Sequence, residues 1–327
     1  MRRTVASLAL VSTAVLFSTL VAAPGARADL VTHCVGTGGA VTVPNDLFVP
    51  AGQSCALTGT TVTGNISVAA GANLVVTGGR FSGEVQVAAD GYLDATDTTV
   101  GGGIELASGG YGVFLKNARS GAVTVRAKGS STIDSFLYTE RATIDGTVTA
   151  GAGEVRLDDT TQVTGNVSST GTYYTDVHDS FVDGTLSVLN SATGSVVCGS
   201  AVRGRATFSG NLGGVQLGPN GSLDSCASGG YWGREVAISN TTGGVRVDDN
   251  IIDGQLTLTA NNPVARVAAN NRIRGGVVGD QAPPSAAKSA ATLGKAAKAH
   301  DAGDSRAQER RTDAVQEAKA AGDAGLG

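Results

Sequence analysis

The chain has 327 residues, 48 of them glycine, with one Trp, six Tyr and seven Phe, and a formal net charge of −4. A charged fraction of only 16% argues against a basic nucleic-acid binder and against a highly charged disordered chain. Glycine at about twice its usual share, without the every-third-residue spacing of collagen, points to turns.

Arg2 and Arg3 open a basic start, Val5 to Ala23 are apolar or small, Pro24-Gly25 breaks any helix, and Ala26-Arg27-Ala28 supplies small residues for cleavage before Asp29. Residues 1–28 therefore read as a secretory signal peptide. A membrane anchor is the alternative, but a span wants about 20 predominantly apolar residues and this run is interrupted by Ser and Thr. Its removal takes away three arginines and no acid, leaving 21 basic against 28 acidic groups, a charge of −7. The expected location is secreted or extracellular, with cell-surface association open and no membrane span after cleavage. Outside the cell an even cysteine count suggests disulfides, and the local pairings are Cys34 with Cys55 and Cys198 with Cys226. No Cys-x-x-Cys pair occurs, so no metal is assigned to the cysteines.

Residues 29–59, with Val41-Thr42-Val43 and Leu47-Phe48-Val49, read as an N-terminal cap. From 60 to 278 a phrase of apolar-x-Gly followed by x-apolar-x-apolar recurs, as in Val62-Thr63-Gly64-Asn65-Ile66-Ser67-Val68 and Phe81-Ser82-Gly83-Glu84-Val85-Gln86-Val87. The glycines at 64, 83, 102 and 121, and again at 146, 165 and 184, are 19 apart, and such a period means a solenoid. Each unit holds short runs of period two and no stretch of helical spacing. The expected fold is all-β: a right-handed parallel β-helix of about eleven coils, on the order of 50 Å long. The repeat glycines are expected at corners with positive φ. Four residues before them, Thr60, Gly79, Thr98, Asn117, Ala142, Thr161, Ser180, Ser200, Asn250 and Asn271 read as a hydrogen-bonding ladder between coils. Residues 279–327 are rich in Ala, Gly and charge and read as a disordered or partly helical tail. A helix around 305–321 has too thin an apolar face to dock firmly.

Pro50-Ala51-Gly52-Gln53-Ser54-Cys55 through Gly64-Asn65-Ile66-Ser67-Val68, with Asn270-Asn271-Arg272-Ile273-Arg274-Gly275, resembles the secreted actinobacterial right-handed β-helix proteins of pectin-lyase-like fold. That family has no settled activity. The resemblance spans about 29–278, and the family's closing Asn-Leu-x-Cys is replaced here by Gly276-Val277-Val278. The coils are also similar to bacterial polymer-forming β-helix scaffolds.

Pectinase-type hydrolases of this shape carry Gly-His and Arg-x-Lys phrases after their aspartates, whereas here Arg126-Ala127-Lys128 stands alone and upstream, and Gly-His is absent. Asp158-Asp159 and Asp248-Asp249 read as turn carboxylates. Asp176-Val177-His178-Asp179 is the densest cluster; Asp176, His178 and Asp179 are the catalytic candidates. Calcium is the one cofactor considered, drawing on these acids with Asp159 and Asp183, although it needs six or more oxygens and the neighbouring coils supply mainly Ser and Thr. For ligand binding, Tyr231 and Trp232 lie in the longest interval of the repeat, beside Cys226; as aromatics they serve either as a glycan platform or as packing where the coil swells. The first reading is a non-catalytic structural or carbohydrate- and surface-binding protein with an extracellular polysaccharide or cell-wall glycan as partner, monomeric or weakly self-associating. The alternatives are a polysaccharide lyase or hydrolase and a self-assembling β-helical scaffold.

Overall fold

A computed structural model describes residues 30–283 and 296–326; residues 1–28, expected as a signal peptide, lie outside them. Short strands wind into about twelve coils, each contributing one strand to each of three parallel sheets. Sheet I runs from Val31–His33 to Val277–Gly279, sheet II from Gly36–Gly38 to Arg266–Val267, and sheet III from Thr42–Val43 to Arg272–Ile273. Residues 31–58, expected as a cap, already share this register, since Val31 pairs with Asp46 and Gly36 with Cys55. Alternation within each strand sends Val, Ile and Leu into one continuous core from Cys34 to Val267.

The cysteines pair as expected, with Cα–Cα distances of 5.6 Å for Cys34–Cys55 and 5.5 Å for Cys198–Cys226. The first pair is buried inside the first two coils. The second lies on the outer side of sheet II and fastens an insert over it, because Cys198 closes the sheet-II strand Gly194–Cys198 while Cys226 belongs to the segment 218–230.

The ladder is present. In Thr98, Thr161, Ser200, Asn250 and Asn271 the side-chain oxygen accepts a backbone N–H from the preceding coil, as in Gly79 to Thr98 Oγ1 at 3.1 Å, Ser180 to Ser200 Oγ at 3.1 Å, and Asn250 to Asn271 Oδ1 at 2.8 Å. These side chains satisfy corner N–H groups that would otherwise be buried without a partner. Asn117 does not belong to this column; it sits one residue earlier, at a left-handed corner with φ 49°. The same corner in neighbouring coils is occupied by Gly78, Asp97, Arg141 and Asp179.

The repeat glycines have a different cause from the one expected. Gly83, Gly165 and Gly184 are absent from the residues with positive φ. A Cβ on each would stand 2.5 Å from the carbonyl oxygen of the preceding repeat glycine, Gly64, Gly146 and Gly165 respectively. Glycine is required there by the closeness of stacked backbones, not by the shape of the turn.

The tail also departs from expectation. Helix α1, Ala296–Ala321, docks along the outer face of sheet II. Its buried apolar stripe is thin, Ala307, Ala314 and Ala318, as the composition implied. Polar and cationic contacts carry the docking instead. Arg156 donates to Asp304 at 2.8 Å, the Arg306 guanidinium lies 5.0 Å from the Phe136 ring centroid, Arg311 pairs with Asp94, and Arg310 donates to Asn73 Oδ1 at 2.7 Å. Nearer the chain's end, Ser54 donates to Glu317 at 2.6 Å. At about 1.5 Å per residue the stretch from Asp304 to Gly322 rises about 27 Å, close to the about 29 Å of six strand steps in sheet II. The helix thus runs parallel to the solenoid axis, back toward the first coil.

Candidate functional site

The outer face of sheet II holds the side chains with chemical potential. Register places Arg156, Asp176, Val196, Gln216, Arg246 and Arg266 in one outward column. A second column contains Glu154, Tyr174, Gly194 and Gly214. Asp176 and His178 are two apart on the strand Tyr174–His178 and so face the same side. Asp179 follows the strand at the corner, with φ 45°, and is separated from that pair. Asp159 is held by Arg141, and Asp183 by Arg203 at 2.9 Å and Gln162 at 3.0 Å. The acids considered for calcium therefore do not converge on one point.

A partner not anticipated from the sequence completes the cluster. Asp224, from the insert, brings Oδ2 to 3.3 Å from His178 Nε2, while Asp176 Oδ1 stands 2.9 Å from the same nitrogen. Gln216 positions the insert: its Oε1 accepts from the N–H groups of Leu223 and Asp224 at 3.0 and 3.1 Å, and its Nε2 donates to the Asp224 carbonyl at 2.8 Å. Leu223 and Cys226 pack with Tyr174, Val196 and Cys198 as a small apolar cluster outside the main core. The Cβ that Gly194 lacks would meet Leu223 Cδ1 at 3.0 Å, so a side chain at that position would displace the insert. The disulfide, the apolar cluster and the Asp224 ion pair together staple the insert to the sheet.

Burial by itself would lower the His178 pKa, but the hydrogen-bonding and charge of Asp176 and Asp224 outweigh it and push it up to about 10. At neutral pH His178 is thus an imidazolium with no lone pair to accept a proton. Asp176, His178 and Asp224 offer three ligand atoms within 4.8 Å of one another. One imidazole and two carboxylates are a donor set for a transition-type cation more than for calcium, and binding would require His178 to give up its proton.

The raised pKa fixes the sign of a pH effect. The folded value exceeds the ordinary value of about 6.5, so the ion-pair contribution is full below about 6.5 and is lost as pH rises through about 10. Wild type should lose thermal stability over that window. His178→Gln should be less stable than wild type at pH 6 and should show a flatter decline; melting curves at pH 6, 8 and 10 with parallel slopes for both proteins would contradict this.

Trp232 and Tyr231 alternate on a sheet-III strand and so part company. Trp232 is 1% exposed and packs edge-to-face on Phe208 at 6.3 Å, its indole N–H donating to Asn250 Oδ1 at 2.9 Å. Its place is in the swollen coil's core. Tyr231 is 40% exposed, with its hydroxyl donating to Asp253 Oδ2 at 2.6 Å, and it is the ring of the pair that solvent reaches.

Past the insert, sheet II carries a cleft of about 610 Å³ lined by Gln216, Leu223, Arg246, Pro263, Val264 and Arg266, among others. Arg246 is held by the buried Asp248 carboxylate at 2.5 Å, and Asn220 donates to the same oxygen at 3.2 Å. Arg266, directly beside Arg246 in register, is exposed. The sequence signal for this pair is a phrase repeated one coil apart, Gly244-Val245-Arg246-Val247 and Val264-Ala265-Arg266-Val267.

Comparison with protein-family models, with curated proteins and with solved structures returns no match. Among the described residues no helix is long and apolar enough to cross a membrane.

Proposed function

We propose that this solenoid is a secreted, non-catalytic structural or binding protein whose partner is an extracellular polysaccharide or cell-wall glycan. The observation that carries the reading is the geometry around His178. Among the described residues, the cluster with the composition of an acid–base site sets the imidazole between the Asp176 and Asp224 carboxylates, 2.9 and 3.3 Å from its Nε2, and their charge raises its pKa to about 10, which suits a staple and not a general base. Two disulfides outside the thiol chemistry of the cytosol support the extracellular setting. The cleft beside Arg266 supports binding, since an exposed guanidinium favours carboxylate-bearing sugars while Arg246 next to it is taken by Asp248, and exposed Tyr231 offers a ring face elsewhere on the rod.

The test joins an activity screen to a glycan array. Acidic polysaccharides incubated with the protein should release no new chain ends, and an immobilised acidic glycan should retain wild type but bind Arg266→Glu about tenfold more weakly. Turnover that disappears in Asp176→Asn would replace this reading with the lyase or hydrolase alternative.

A further inference from the structure

The open ends of a parallel solenoid are its hazard, because each terminal coil offers unpaired strand edges and a bare section of core. At the first coil residues 322–326 cover the sheet-II edge and the end of the core. Thr37 in the sheet-II edge strand donates its N–H to the Gly322 carbonyl at 2.8 Å and accepts from the Ala324 N–H at 2.9 Å. Asp323 forms the corresponding parallel bridge to Thr37. Ala324 and Leu326 then pack on the end of the core, and a Cβ at Gly38 would lie 2.8 Å from Leu326 Cδ1.

At the far end the sheet-II edge is also met in part, Gln281 bridging Ala265 and the Ala282 N–H donating to the Ala265 carbonyl at 2.8 Å. Among the described residues, the final strands Val277–Gly279 and Arg272–Ile273 have no neighbour on their outer side. Ile273 and Val277, inward by register with Ile252 and Leu256, are only partly buried against the core. Both ends lie in the same three-sheet frame, so the first coil of one copy could continue the last coil of another at the ordinary parallel spacing. Such a contact joins two different surfaces and repeats along a line. What prevents it at the first coil is a plug held through a helix whose docking is polar and cationic: Arg311 with Asp94, Arg310 with Asn73, Arg156 with Asp304.

We propose that the segment Gly322–Leu326 is a plug that blocks head-to-tail stacking, and that the surface it covers takes the terminal coil of a second copy of this chain. The inference does not rest on the glycan reading; it concerns the rod's ends and needs no ligand.

Removing Gly322–Gly327 leaves α1 on the sheet and uncovers the first coil. In sedimentation velocity across a concentration series, the truncated chain should reach a weight-average mass about twofold or more above the monomer, under conditions where the full chain stays monomeric. Adding Val277→Lys to the truncated chain should return it to monomer by placing a charge on the opposite end of the core. Leu326→Asp in the otherwise intact chain should weaken the plug and raise the mass in the same direction, and circular dichroism shows for each variant whether the β-fold is intact. The proposal is overturned if folded truncated chain and folded Leu326→Asp both stay monomeric throughout, if the oligomers ignore Val277→Lys, or if the full chain associates equally.

Discussion

Trp232→Ala should cost about 3–5 kcal/mol of stability, the largest effect expected of any single side-chain truncation in this molecule. The indole is fully buried in the coil that carries the insert, touches Phe208 edge-to-face, and donates its N–H to Asn250. Asn250 is itself a ladder residue, donating to the Leu217 and Asp248 carbonyls at 2.9 and 2.7 Å and accepting from Gly230 N–H at 2.9 Å. Truncation leaves a cavity in a core whose coils on both sides are fixed by backbone hydrogen bonds, so collapse to fill it is hindered. Denaturant unfolding followed by circular dichroism measures the loss, and a change below about 1 kcal/mol would mean that the coil repacks freely. Glycan binding by this variant would report folding as much as recognition. Tyr231→Ala, at the exposed neighbour, is the cleaner probe of an aromatic platform.

The second large effect concerns the repeat glycines. Gly184→Ala introduces a methyl 2.5 Å from the Gly165 carbonyl oxygen and 2.6 Å from its carbon. Both belong to backbone that is itself stacked on the coil before, so neither can move far. A loss of about 3 kcal/mol is expected, the upper end for overpacking. Gly171 makes a useful contrast: its φ is 68° and a Cβ there would meet nothing within 4 Å. Gly171→Asn should be nearly neutral, because the equivalent corners hold Asn190 and Asn240 with φ of 55° and 52° and Asn tolerates the left-handed region. Comparable losses for the two variants would show that glycine is conserved in space by turn shape alone, contrary to the geometry described.

Which parts of this architecture were legible depends on the range of the interaction. The 19-residue period, the ladder and the Cys34–Cys55 disulfide follow from residues one coil apart, so a repeat read from the chain already implies them, whereas Cys198–Cys226 is read from the pairing of neighbouring cysteines. The period did not say why glycine recurs, since a tight backbone approach and a left-handed corner demand the same residue. It also could not place Asp224, which lies in an insert outside the repeat and reaches His178 only through the fold of that insert. Helix α1 was legible as a helix but not as a docked one. Its attachment sites, Asn73, Tyr92, Asp94, Phe136 and Arg156, look like unrelated outward residues until strand register stacks them into adjoining columns. Docking through arginine and carboxylate leaves little trace in hydropathy. Trp232 shows the converse: scarcity made it conspicuous, while its burial followed from an inward strand position two residues before Arg234.

The return of the chain to its starting coil has a bearing on how the rod is made. Coils can form in order as the polypeptide emerges, each templated on the last, because nearly all strand contacts join neighbours in sequence order. The first coil is the exception, for its exposed edge meets its partner 285 residues later, when Thr37 reaches Gly322. Growth from the N-terminus therefore proceeds with a live template at its oldest end until residues 322–326 have been made. Closing that end is a long-range event with a large loop-closure entropy, and the interval before it closes is when neighbouring nascent chains are most able to pair.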